Sequence, residues 1–190
     1  MTTTTATAPT TTFASALRRL YFTRFAFAIV WAGLVFTTAT TASPQLTVLL
    51  IVYPLFDAGS VLWQIRANPD RTRSTVAEWV NVVVSVIVAV ALGVASAHSV
   101  AAALAVWGAW AIGAGIPQLI AAIRNRRSGG QVAQMLSGGI SVFAGASFLL
   151  SGLQGSEMIT GAAGYAVLGA VFFLISAIRL NATIRKSVAA

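Results

Sequence analysis

The chain contains no cysteine and a single histidine, His98. These two shortages exclude a disulfide framework, a thiolate zinc site, a haem attachment and a histidine metal cluster. Charge is almost as scarce. Charged residues make up 8% of the 190 positions against 57% hydrophobic ones, and only four of them are acids. So little polar surface cannot cover a soluble globule, and with a mean hydropathy of +0.85 the chain belongs in a membrane. Also missing are a nucleophile with histidine and acid partners and any phosphate-binding glycine loop, since Gly129-Gly130 only ends a basic stretch. The expectation is a protein that is not an enzyme and holds no cofactor or metal.

The 12 cations are present in a pattern. They fall into four groups of three: Arg18, Arg19 and Arg24; Arg66, Arg71 and Arg73; Arg124, Arg126 and Arg127; and Arg179, Arg185 and Lys186. Between successive groups lie two apolar runs separated by a short break without Lys or Arg. Six segments approach the roughly 20 residues that cross about 30 Å of hydrocarbon. They are Phe25 to Thr41, Leu46 to Ile65, Ala77 to Ala97, Val100 to Ile123, Met135 to Leu153, and Met158 to Ile178. Each must be helical, because lipid offers no partner to an unpaired backbone amide.

The breaks at Ala42 to Gln45, around His98 and at Gln154 to Glu157 are short enough to be tight turns. The expected fold is therefore all-α: a polytopic membrane protein of six transmembrane helices arranged as three helical hairpins, at about 20–66, 77–124 and 134–179. Retention of Lys and Arg in cytoplasmic loops places both termini in the cytoplasm. The net charge of +8 is then met by the bilayer and its anionic lipid head groups rather than by nucleic acid. Residues 1–16, rich in Thr, read as a disordered cytoplasmic tail, 17–180 as the transmembrane domain, and 181–190 as a basic tail. Leu17 to Phe22 resembles a signal-peptide start, but Arg24 interrupts the following apolar core and favours an uncleaved first span.

The hairpins resemble one another. Ile65-Arg66, Ile123-Arg124 and Ile178-Arg179 close the second helix of each, at separations of 58 (66 to 124) and 55 (124 to 179). Ser85 to Ala89 also matches Ser141 to Gly145, and Trp31-Ala32-Gly33 matches Phe143-Ala144-Gly145. Such a period points to parallel repeats about an axis along the membrane normal. Small residues predict close packing of the third to sixth helices: Ala105, Ala109 and Gly113 at four-residue spacing, Ala111 with Gly115, Ala89 with Gly93, and the glycines at 138, 139, 145, 161, 164 and 169. The same glycines read alternatively as points of flexibility for gating.

Asp57 is the one acid well inside a span. Nine residues before Arg66, it lies about 13 Å deeper at about 1.5 Å per residue, near the bilayer midplane. Exposed to lipid, its charge would cost several kcal/mol, so it must face the bundle, be paired or be protonated. Two readings follow. In one, Asp57 is a proton or cation relay; in the other, it is a neutral or hydrogen-bonded group that docks the second helix, with Trp31 Nε1 or a Ser/Thr hydroxyl as donor, while Arg24 pairs with it only by reaching in from the interface.

Arg24, Glu78 and Asn81 sit near the cytoplasmic surface, either solvated or with Arg24 bridging to Glu78. Pro54 and Pro117, the latter beside Gln118, are candidate kinks next to polar side chains. On the outer side His98 and Glu157 can titrate, either as pH-sensing groups or as ordinary turn residues. Trp107, Trp110, Tyr53 and Tyr165 read as an aromatic belt or as packing.

Arg24 with Trp31-Ala32-Gly33, the Ser43-Pro44 turn, and Tyr53-Pro54-Leu55-Phe56-Asp57-Ala58-Gly59 ending in Ile65-Arg66 resemble the HdeD-like family of small bacterial inner-membrane proteins, with weaker echoes at Gly113 to Arg124 and Gly169 to Arg179. The resemblance runs from about Leu20 to Leu180. It implies a non-enzymatic membrane protein of six spans, linked in some members to acid resistance, and no catalytic residues; the family's Asp-Gly pairing stands here as Asp57-Ala58-Gly59. The expected role is in envelope or acid stress through association with itself or a membrane partner protein. The alternatives are a small transporter or channel using Asp57, or an accessory subunit of a membrane complex.

Overall fold

The computed structural model describes residues 11–38, 42–67, 76–124 and 131–189. Among them are six helices: α1 (Thr11–Thr38), α2 (Pro44–Ala67), α3 (Val76–His98), α4 (Val100–Arg124), α5 (Gln131–Leu153) and α6 (Thr160–Ala189). Each is long and apolar enough to cross a membrane. Two boundaries differ from the sequence expectation. Residues 11–16, expected in a disordered tail, belong to α1, and α6 continues to Ala189 through the expected basic tail. Helix hydrogen bonds do not stop where hydrocarbon stops, and Arg18 Nη1 donates to Asn181 Oδ1 at 2.7 Å, which carries the α1–α6 pairing past the apolar run. Residues 1–10 of that tail lie outside the described residues.

The turns at the end without arginines are made by recognisable capping chemistry. Ser43 caps α2, its Oγ accepting from Leu46 N at 3.2 Å, with Pro44 at the first helical position, where no amide hydrogen is needed. Ser99 separates α3 from α4 and caps the latter, its Oγ accepting from Ala102 N at 3.0 Å. After α5, Gly155 takes a left-handed φ of 79°. There Ser156 N donates to Ser151 O at 2.9 Å and Gly155 N to Gly152 O at 3.0 Å, the paired bonds of a Schellman ending that glycine makes without steric cost.

Packing does not follow the hairpins. The closest pairs are α4 with α5, α1 with α6 and α2 with α3; α3–α4 and α1–α2, joined by the outer turns, pack less closely, and α5 barely approaches α6. The expectation of tight packing from the third helix to the sixth thus holds for α4–α5 and fails for α5–α6. A short turn ties only the ends of two helices. Close approach along their length needs backbone meeting backbone.

That approach is made by five glycines. A Cβ at Gly145 would stand 2.7 Å from Gly108 O and 2.8 Å from Ile112 N; at Gly138, 2.9 Å from Leu119 N; at Gly115, 2.9 Å from Gly138 O; and at Gly152, 2.5 Å from Ala101 O. A Cβ at Gly108 would likewise collide with the backbone of Gly145 and Leu149. Gly108 and Gly115 on α4, and Gly138, Gly145 and Gly152 on α5, recur every seven residues. Seven residues is close to two helical turns, so each set forms one line on its helix. Gly113, expected to contribute, has nothing near its Cβ position, and neither do Gly139, Gly164 and Gly169.

The buried core lies toward the end without arginines. Trp31 of α1 and Trp107 of α4 stack at its centre, ring centroids 5.1 Å apart and 11° from parallel, with Leu46, Leu50, Leu92, Leu104, Ile159 and a run of alanines around them. Tyr53 wedges against both indoles at 4.6 and 5.3 Å, and Trp110 meets Trp107 edge-on. Tyr53, Trp107 and Trp110 are therefore core packing rather than a belt. The exposed tryptophans are Trp63 and Trp79, beside Arg66 and Glu78, where an interfacial indole belongs.

Candidate functional site

Asp57 is met from two neighbouring helices. Arg24 Nη2 on α1 donates to its Oδ1, while Asn81 Nδ2 and Ser85 Oγ on α3 donate to Oδ2 at 2.9 and 3.1 Å. Asn81 and Ser85 are four residues apart, one turn along a single face of α3. α6 closes the arrangement: the guanidinium carbon of Arg24 lies 4.5 Å from the centre of the Phe173 ring, and the Tyr21 ring stacks with Phe173 at 6.3 Å. The Arg24 and Asp57 side chains are 14% and 17% exposed. Four helices thus converge on one ion pair.

Energetically the arrangement is that of a paired buried charge. A carboxylate removed from water loses several kcal/mol of hydration, which its partner and additional donors must offset. Both oxygens have donors here, and the guanidinium gains the face of an aromatic ring. Arg24 reaches inward to Asp57. The bridge to Glu78 does not form.

Glu78 sits one turn before Asn81 on the same face of α3. Its Oε1 accepts from Gln64 Nε2 at 3.2 Å, and its Oε2 is buried with no hydrogen-bond partner. Gln64 lies seven residues after Asp57 on α2. The α2–α3 seam is therefore polar from Glu78 to Ser85, and polar again at its far end, where Ser96 Oγ donates to Thr47 Oγ1 at 3.0 Å.

The other candidates lie apart. Trp31 Nε1 donates to Leu49 O at 2.6 Å, not to Asp57; that carbonyl adjoins the one Pro54 leaves without its usual amide donor. Gln118 Nε2 donates to Gln134 Oε1 at 2.7 Å on the exposed side of α4–α5. His98 ends α3 and Glu157 lies between α5 and α6, both exposed, and no ion pair joins them among the described residues. Ser85, Phe173 and Gln64 were absent from the sequence candidates. Ser85 and Asn81 share an i, i+4 spacing that could have been read; Phe173 and Gln64 join only through tertiary contact.

A surface groove of about 460 Å³ between the end of α1 and the start of α2, lined by Leu34, Thr38, Pro44, Gln45, Val48 and Leu49, does not include Asp57. Among the described residues no three His, Asp or Glu side chains come together in a metal-holding group.

Comparisons with protein-family models, with curated proteins and with solved structures find nothing that matches this chain. The class rests on the fold. Six helices of spanning length, whose outward faces carry residues such as Val83, Ile87, Val90 and Val94 at 54 to 65% exposure, are those of a multi-pass α-helical membrane protein in contact with the lipid bilayer.

Proposed function

We propose that this chain is a non-enzymatic membrane protein of HdeD-like type, seated in a bacterial plasma membrane with both termini in the cytoplasm. It acts in envelope or acid stress through association with itself or a membrane partner. In this reading its hairpins are parallel repeats, and the Arg24–Asp57 pair is a clamp that holds α1, α2, α3 and α6 in one arrangement. The observation that carries it is the complete engagement of the Asp57 carboxylate, Oδ1 by Arg24 and Oδ2 by Asn81 and Ser85. A relay group needs an oxygen that exchanges its partner, and here each oxygen holds one from its own chain.

Proton flux into liposomes tests the clamp. Wild type and Asp57→Asn are both expected to show leak-level flux. Flux above leak in the wild type that Asp57→Asn abolishes would replace this reading with a transporter or channel. The polar α2–α3 seam, with Glu78, Gln64 and Asn81 leading from the basic end toward Asp57, is the observation that favours that second reading.

Orientation is tested separately, and the absence of native cysteine makes the test clean. In intact cells an impermeant thiol reagent is expected to label Ala97→Cys, beside His98, and to leave Ser128→Cys, beside Arg127, unmodified. The reverse labelling pattern would invert the topology.

A further inference from the structure

Four described arginines gather where α1 begins and α6 ends: Arg18, Arg19, Arg179 and Arg185. We propose that this end of the α1–α6 pair is a specific site for the phosphodiester group of an anionic phospholipid, with Arg18 and Arg185 as its principal ligands. The inference rests on the membrane reading above, and it goes further by naming one place and one ligand chemistry.

Arg18 is the starting point. Its Nη1 donates to Asn181 Oδ1 at 2.7 Å, so the guanidinium is held between two closely packed helices. Its partner there is a neutral amide. The bond fixes the group's position, leaves its charge uncompensated, and leaves its remaining N–H donors for another acceptor. Arg185 follows Asn181 by four residues, one turn further along the same face of α6, and is exposed. The two arginines thus stand on the two helices of one seam, Arg185 one turn beyond the residue that holds Arg18. Arg19 and Arg179 are exposed nearby on the same two helices and add to the local potential.

No described acid competes for this charge. Asp57 is taken by Arg24, the only ion pair among the described residues; Glu78 lies on α3 against Gln64; Glu157 is in the turn at the opposite end. Asp70 lies outside the described residues. The end of α2–α3, by contrast, pairs Arg66 with a helix that carries Glu78 in its first turn. Two arginine forks, one from each helix of the seam, suit the oxygens of a phosphodiester. The absence of a described acid gives a zwitterionic head group no place for its cationic amine. Depth agrees: Arg18 lies six residues before Arg24, about 9 Å nearer the basic surface at about 1.5 Å per residue, the level of lipid phosphates rather than acyl chains.

The test uses the full chain reconstituted in phosphatidylcholine nanodiscs containing a minor fraction of phosphatidylglycerol, with bound lipid read by native mass spectrometry after release. The double variant Arg18→Gln/Arg185→Gln is expected to retain at least about tenfold less phosphatidylglycerol, since each guanidinium loses its charge-assisted hydrogen bonds to one phosphate, worth about tenfold apiece. The control Arg66→Gln/Arg124→Gln removes the same charge and is expected to change retention less than about twofold. Arg185→Gln alone, which breaks no described hydrogen bond, must move in the same direction as the double variant. Equal losses in the two double variants would overturn the site in favour of diffuse attraction. Displacement of phosphatidylglycerol by millimolar inorganic phosphate would overturn the lipid as ligand. Membrane insertion is scored on the same samples by carbonate-resistant flotation, so a chain that fails to insert refutes the membrane reading itself, and an inserted chain without selective retention refutes only the site.

Discussion

Arg24→Leu is expected to lower the stability of the bundle by about 3 kcal/mol, the effect of leaving a buried charge without its partner. Removing the guanidinium strips Oδ1 of Asp57 and leaves Oδ2 with Asn81 and Ser85 alone. Asp57 cannot escape, because its side chain is short and starts near the middle of α2. Asp57→Asn is expected to cost less, since the freed arginine has a long stem with which its guanidinium can reach the basic surface. Combining Arg24→Leu with Asp57→Leu is expected to restore more than half of the loss. Two apolar side chains suit the site, and the remaining cost is that of the amide and hydroxyl left without an acceptor. Thermal unfolding in detergent, followed by helical circular dichroism across wild type, Arg24→Leu, Asp57→Leu and the double variant, gives the coupling directly. Single-variant losses that simply add in the double variant would show that the pair does not act as a unit.

Gly145→Leu is expected to pull α4 from α5 at a similar cost, about 3 kcal/mol or more. Already at the Cβ the new side chain would stand 2.7 Å from Gly108 O and 2.8 Å from Ile112 N. These are backbone atoms of a facing helix and cannot swing aside as a side-chain tip would. Gly139→Ala, on the same helix with nothing within 4 Å, is expected to be neutral or to stabilise by up to about 1 kcal/mol, because alanine is the better helix former. The contrast between neighbouring glycines is the test: equal destabilisation at both would mean that helix propensity, not the interface, governs. Limited proteolysis should also find α5 before any other helix in Gly145→Leu, since its backbone stands well away from α6, which it meets through side chains such as Ser141 and Phe148 against Tyr165.

How much of this was legible beforehand differs by feature. The number and placement of the helices follow from hydropathy and from the arginine triplets, because the bilayer imposes a length and a charge bias that act locally along the chain. The polar character of Asp57 was equally plain, as were Ser43-Pro44 and the break near Gly155. Of the α4–α5 glycine line at 108, 115, 138, 145 and 152, the small-residue pattern includes 115, 138 and 145, but it omits 108 and 152 and adds Gly113 and Gly139, whose Cβ positions are empty. Glycines recur on several faces of these helices. Nothing local marks the face that meets another backbone.

The partner of Asp57 was legible only as one option among several. Arg24 lies 33 residues away, and the sequence offers Trp31, a Ser/Thr hydroxyl and Arg24 reaching in from the interface as partners for Asp57, with Glu78 as a rival partner for Arg24. Choosing among them depends on the rotation of α1 against α2 and α3, which is set by Trp31 on Trp107 and by the Phe173 contact, all of them between residues distant in the chain.

By itself, then, the sequence determined that this is a helical membrane protein of six spans with its cations at one end, because those properties arise from each segment's own exchange with water and lipid. Only the tertiary structure decided that α1 closes on α6, that α4 and α5 meet through glycine, and that Asp57 is neutralised by Arg24. These are contacts between helices that are all alike in hydropathy, and the choice among them rests on shape and hydrogen-bond geometry, for which lipid supplies no preference.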